Sequence, residues 1–346
     1  MMLKYQAPVP GEQPSVGFNS VAIMRIPTGT REGVIYVQQE VTVKGNANGY
    51  FPLLSDIAHA TIPLLVKIGG NIQITRTIAE LIALNKLQDA NAAGSVAYYQ
   101  NGTAAGTSTP TKAQYLVATV NDASNAVAPA GVNTTKDCTA VFQIPIYFAE
   151  YWRKSLATAE ALALPTSFIG GGKLKELTVE VPTSAQDAAV RLTSGAKVRL
   201  WHDYDNLQWP PQNNQPLPFF TKKGRFTKLY SATGDVSLSF TQKDRLLQFS
   251  VLAAAGDTID NILVKKNGET IRQVDKRQND QTLLDHGLNV AGIVANRFDL
   301  VFDVNDDPTS GLPLAQADTF EVTVNMDKVA GAANLVLLTE SYGQPD

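Results

Sequence analysis

The chain has 346 residues, a formal net charge of -3 and one cysteine, Cys138. At about 150 residues per domain this length suggests two domains, and the weak charge argues against nucleic acid as the main partner. A single cysteine excludes an intramolecular disulfide and a cysteine-based zinc cluster, and no run reaches the ~18 apolar residues that a membrane-spanning helix needs.

In chain order, the segment MMLKYQAPVPGEQPSVGF has prolines and polar residues where a secretory leader needs an apolar run, so no signal peptide is expected. VIYVQQEVTV (Val34 to Val43) alternates with period 2 and is rich in β-branched residues, a strand signature. LLVKIGGNIQI (Leu64 to Ile74) reads as a hairpin turning at Gly69 and Gly70. In TIAELIALNKLQDA, the residues Ile78, Leu81, Ile82 and Asn85 share a helical face, and Thr77 with Glu80 three later forms a capping box. From Asn91 to Asp137 the composition shifts to Ala, Gly, Ser, Thr and Asn, with AQYLVATV as its one strand-like island, which reads as a surface excursion. AEYWRKSLATAEALALP (Ala149 to Pro165) is Ala- and Leu-rich and reads as a second helix that stops at its proline.

ELTVEV (Glu176 to Val181) and KVRLWHDYD follow as strands. NLQWPPQNNQPLPFF (Asn206 to Phe220) holds four prolines, which lack the N–H that a central strand must donate, so the domain boundary is placed there. Beyond it DVSLSFTQ, FDLVFDV, FEVTVNM and NLVLLTESY read as strands, and ILVKKNGETI as a hairpin with Asn267 and Gly268 at its turn. Gly268 lies 198 positions after Gly70, and at that offset Leu65, Val66 and Lys67 fall on Leu263, Val264 and Lys265. From hairpin glycine to closing strand the separation is 107 positions to Leu177 in the first half and 52 to Phe320 in the second. The pattern implies two copies of one β module, the first enlarged by insertions. With seven or eight candidate strands each, the halves read as antiparallel sandwiches or jelly rolls.

Chemistry is sparse. His59, His202 and His286 have no ligand spacing, and HDYD (His202 to Asp205) reads as a polar rim rather than a cation site. In DVNDDPTSG the residues Asp303, Asn305, Asp306 and Asp307 are oxygen donors that could hold a structural calcium, but Pro308 stands where an EF-hand loop has glycine, and a tight turn is the preferred reading. IGGGKL (Ile169 to Leu174) lacks the first glycine and the Ser or Thr of a phosphate loop. No nucleophile elbow occurs, so no catalytic residue and no bound cofactor are expected. Lys222, Lys223, Arg225 and Lys228 form a basic run that could meet anionic lipid headgroups or nucleic acid, although a solvated charged loop is preferred.

Three stretches carry a resemblance: MRIPTGTREGVIYV (Met24 to Val37), LLVKIGGNIQITRTIAELIAL, and FQIPIYFAEYWR (Phe142 to Arg153) running to LALPTS, with IDNILVKKNGETIRQV in the second half. Through them the chain resembles the double jelly-roll major capsid proteins of tailless icosahedral, membrane-containing phages of the corticovirus-like kind. It departs from that pattern at Arg31 and Glu32, where an aromatic is usual soon after the Pro-Thr-Gly turn. The resemblance implies an all-β fold of two tandem eight-stranded antiparallel jelly rolls with short decorating helices. The expected divisions are an N-terminal arm at 1–17, a first jelly roll at 18–205 with an insertion at 91–137, a linker at 206–218 and a second jelly roll at 219–346. It also implies a protein made in the host cytoplasm that self-assembles as pseudo-hexameric homotrimers into a virion capsid. Its partners would be neighbouring capsomers, minor capsid or penton proteins and internal membrane lipids, with no specific nucleic acid.

Two other classes stay open at this level. A glycan-releasing hydrolase would need carboxylates such as Glu180, Asp203 and Asp205 to converge, and a carbohydrate-binding surface protein would use aromatics such as Tyr98, Tyr99 and Tyr115.

Overall fold

The computed structural model describes residues 5–11, 16–43, 54, 58–59, 61–89, 91–103, 110–119, 138–152, 159, 162–166, 176–183, 196–205, 219–241, 243–288, 296–303, 308–314, 318–329 and 331–344. The chain divides into two compact units, Met1–Ala149 with Ala163–Asn214, and Glu150–Leu162 with Gln215–Asp346. The sequence had assigned Glu150–Leu162 to the first half; the expected linker at 206–218 lies outside the described residues.

In the first unit, one sheet has the order β1 (Tyr5–Pro8), β11 (Lys197–Asp205), β3 (Arg31–Val43), β8 (Cys138–Tyr147), β6 (Ser95–Thr103), β7 (Pro110–Thr119), with the two-residue β9 (Leu164–Pro165) against β3. Its second set runs β5 (Asn71–Arg76), β4 (Leu64–Ile68), β10 (Leu177–Pro182), β2 (Val21–Ile26). The second unit repeats this wiring. β17 (Arg297–Val301), β14 (Arg245–Leu252), β20 (Ala333–Gly343) and β12 (Phe220–Tyr230) lie side by side, with β18 (Leu312–Pro313) against β14. Facing strands run β13 (Gly234–Thr241), β19 (Thr319–Asp327), β15 (Thr258–Lys266), β16 (Glu269–Asp275). Reading each unit in chain order gives eight matching strands, the connectivity of a jelly roll. All the pairings described within the units are antiparallel, so the duplication inferred from the hairpins is a duplication of topology.

The repeat holds in residue detail. β4 and β15 both slip register one residue before their hairpin lysine, between Val66 and Lys67 and between Val264 and Lys265. Gly69, Gly70, Asn267 and Gly268 all have positive φ, as a tight turn of that handedness requires. Gly69 N–H donates to Glu176 O at 2.8 Å and Asn267 N–H to Thr319 O at 2.8 Å. Leu177 opposes Ile68 as Phe320 opposes Lys266, the correspondence drawn from spacing. On β3 and β14 a bulge leaves one residue out of the ladder to the closing strand, Gly33 in one unit and Leu247 in the other. Each bulge carbonyl accepts two successive amides, from Phe148 and Ala149 at 2.9 Å, and from Phe302 at 2.8 Å and Asp303 at 3.4 Å.

Three expectations need correction. The proline taken as a helix stop is in strand: Arg31 and Glu32 of β3 oppose Pro165 and Leu164, just as Arg245 and Leu246 of β14 oppose Pro313 and Leu312. Proline is admissible there because a two-residue strand at a sheet margin has no ladder donor to lose. The N-terminal arm contributes β1, laddered to β11 from Tyr5 opposite Tyr204 to Pro8 opposite Trp201. The polar excursion adds a hairpin, β6 with β7, to the first sheet, and its residues 104–109 and 120–137 lie outside the described ones.

The helices sit at matching points. α1 (Ile78–Gln88) has the expected capping box from Thr77 and Glu80. α2 (Lys276–Asp285) begins 198 positions later, capped by Asp275, whose side chain accepts from Gln278 N–H at 2.9 Å. Each helix pins a later strand, β8 or β17, at an equivalent carbonyl: Asn85 donates to Pro145 O at 3.1 Å, Asn279 to Asp299 O at 2.5 Å. The second unit's core is aromatic, with Phe240 edge-on to Phe320 at 5.2 Å and Phe249, Phe298 and Leu337 closing around them.

Candidate functional site

The residues that sequence reasoning offered for catalysis do not converge. Glu180, on β10, is 2.6 Å from Lys67 Nζ of the neighbouring strand. Asp203 accepts from the Tyr36 hydroxyl at 2.7 Å, and Asp205 from the Arg31 guanidinium at 2.6 Å. Each carboxylate is thus committed to its own partner, and Glu180 belongs to a different sheet from the other two.

His202, expected at a polar rim, is buried, and its Nδ1 lies 2.9 Å from Glu32 Oε2. Glu32 is fully buried and also accepts from the Thr30 hydroxyl. The hydroxyl therefore bonds the carboxylate, not the imidazole. A nucleophilic triad needs the base between the two, so this arrangement holds structure: Thr30 N–H donates to Thr166 Oγ1 at 3.0 Å, Thr166 Oγ1 returns to Thr30 O at 2.7 Å, and His202 stacks on Tyr204 at 4.4 Å. Glu32 and His202 are 170 positions apart on β3 and β11, so sequence proximity gave no signal of the pair.

The basic run also reads differently in three dimensions. Lys222 and Lys223 are 6% and 3% exposed on β12, and their ammonium groups lie 2.9 Å from Asp244 and 3.2 Å from Glu340. Glu340 also accepts from Gln248 at 2.5 Å. Lys228 donates to Ser237 O at 2.5 Å. A charge can be buried when a counter-charge and hydrogen bonds replace its water, which is why a run that looks solvated lies in a sheet.

Two further polar groups are shaped by burial. Tyr147 is pushed up to about 12, by desolvation first and then by the negative charges of Asp89 and Asp203. Tyr230 donates to Asp257 at 2.5 Å while accepting from Ala254 N–H at 3.0 Å, with Lys328 Nζ over its ring at 4.4 Å. The Tyr230 hydroxyl, then the Val329 amide, hold the Asp257 carboxyl below its usual range. This cluster ties three loops at one end of the second unit.

Among the described residues no group of three or more His, Cys, Asp or Glu side chains could hold a metal ion. Of the calcium candidates, Asp303 is buried, while Asn305, Asp306 and Asp307 lie outside the described residues, as does the 169–174 glycine run.

What remains is a duplicated scaffold with paired internal charges, and comparison with known proteins agrees with it. Residues 220–345 match the family described as viral coat protein P2 C-terminal domain. That match covers the second module alone. No curated protein sequence matches it. Its fold is similar to the major capsid protein P2 from bacteriophage PM2, with a TM-score of 0.60 at 14% identity over 99% of this chain and 98% of that one. It is also similar to the STIV MCP, at 0.65 and 10% over 99% and 97%, and to the PBCV-1 virus capsid, at 0.57 and 10% over 98% and 92%. Such low identities carry likeness of fold, which spans both modules.

Proposed function

We propose that this protein is a viral coat protein, the major capsid subunit of an icosahedral virus, and acts by self-association as a homotrimer with a pseudo-hexameric outline. The observation that carries the proposal is the duplication itself, with bulge, hairpin slip, Leu-Pro strand and helix cap repeated at matching positions. Two like modules in one chain let three chains present six similar wedges, a near-sixfold tile made with threefold symmetry. Among the described residues, each carboxylate proposed for glycan chemistry is engaged by its own neighbour, Lys67, Tyr36 or Arg31. Light scattering after size exclusion tests it: the expected mass is about three times the 37.2 kDa of one chain. A monomer at micromolar concentration would sink the trimer.

A further inference from the structure

Because eight strands of the two modules match, equivalent positions on them can be compared for exposure. On the fifth strand of each roll, β5 and β16, the 198-position offset equates Gln73 with Ile271 and Ile74 with Arg272. Gln73 is 3% exposed and Ile74 fully buried, whereas Ile271 is 38% exposed and Arg272 half-buried. The polar residue is covered and its apolar counterpart is open, the reverse of what solvation alone would select. On the first strand of each roll the difference runs the other way. Gln6 opposes Asp203 and Lys223 opposes Glu340, and those two partners both face the residue just past the bulge, Val34 and Gln248, so Gln6 and Lys223 are equivalent. Gln6 is exposed, and Lys223 is 3% exposed.

The fifth strand is therefore closed in the first module and open in the second, while the first strand is open in the first module and closed in the second. Among the described residues, β16 ladders only to β15, and β1 only to β11. Each presents a row of backbone N–H and C=O groups, the standing template for another chain's strand. β16 contains no proline and carries Thr270 and Ile271, which suit a ladder.

We infer that β16 of one chain docks along β1 of a second copy, a head-to-tail contact that pairs the open strand of one module with the open strand of the other. Each chain then has one donor edge and one acceptor edge, and a ring closes when the rotation per chain divides a full turn. This inference deepens the self-association reading and rests on it, by naming the strands that meet.

Cysteine cross-linking tests it. In a Cys138→Ala background, four double variants combine Gln6→Cys or Pro8→Cys with Ile271→Cys or Gln273→Cys, so that a slip of one residue pair in register is sampled. The expected result after mild oxidation is a non-reducing ladder that ends at three chains in at least one double variant, with the single-cysteine variants remaining at one chain. Light scattering on the same unoxidised samples separates the two ideas. A trimer that yields no ladder in any variant overturns the strand assignment and leaves the capsid reading standing. A monomer overturns both. Covalent dimers from a single-cysteine variant would show like edges meeting, and would overturn the head-to-tail geometry.

Discussion

Glu32 gains its importance from where its two acceptor oxygens lie. Both are buried and each has a partner, the half-buried Thr30 hydroxyl and the buried His202 Nδ1, so Glu32→Ala removes an acceptor from both, and His202 has no water to replace it. Breaking a buried pair in this way costs about 3–5 kcal/mol, whereas an exposed pair contributes about 0–1 kcal/mol. Lys197 and Glu40 supply the contrast, 2.9 Å apart with the lysine side chain 45% exposed. Urea unfolding should show Glu32→Ala lowering the midpoint clearly and Lys197→Ala hardly moving it; equal effects would mean that the buried pair is not what holds β3 to β11. Tyr147 gives a second prediction at this scale. Its hydroxyl is raised to about 12 in the folded chain and ionises near 10 when unfolded. The neutral form is thus favoured by folding, so this contribution is whole below pH ~10 and is lost as pH rises towards ~12. Thermal melts between those limits should fall less steeply for Tyr147→Phe than for the parent.

Secondary elements divide into those whose determinants are local and those whose determinants are not. The hairpins were legible because two residues at the turn must take positive φ, and Gly69-Gly70 and Asn267-Gly268 are the residues that do so cheaply. α1 was legible from Thr77 and Glu80, which cap it. α2 was not, because KRQNDQTLLD buries only Asn279 and Leu283 and shows no apolar stripe; the signal it did carry was Asp275, standing 198 positions after Thr77. β9 was hidden because Leu164-Pro165 is strand only through its partner, β3, more than 120 positions earlier. The two caps lead to a paired expectation. Thr77→Ala and Asp275→Ala should each cost about 1 kcal/mol, the usual worth of a side-chain N-cap, read as a small drop in denaturation midpoint. If Asp275→Ala has no effect while Thr77→Ala does, the second cap is decoration and α2 is held by Asn279 and Leu283 alone.

At the scale of the whole molecule, duplication sets how stability is distributed. The second module's core cluster is drawn entirely from residues 230–337, with Phe249, Phe298 and Phe320 at most 1% exposed, and the first module buries Phe142, Ile144 and Val198 on its own strands. A core whose members all come from one module loses packing within that module when one of them is cut back. Phe320→Ala removes a ring that touches Phe240 and Phe249, a change worth about 3–5 kcal/mol. Hydrogen exchange followed by mass spectrometry should then show faster exchange in peptides from β13, β14, β15 and β19, with β3, β8 and β11 keeping their protection. Phe142→Ala should give the mirror image. Uniform acceleration across both modules would show that the chain opens as one cooperative unit, with the repeat evident in its architecture but not in its energetics.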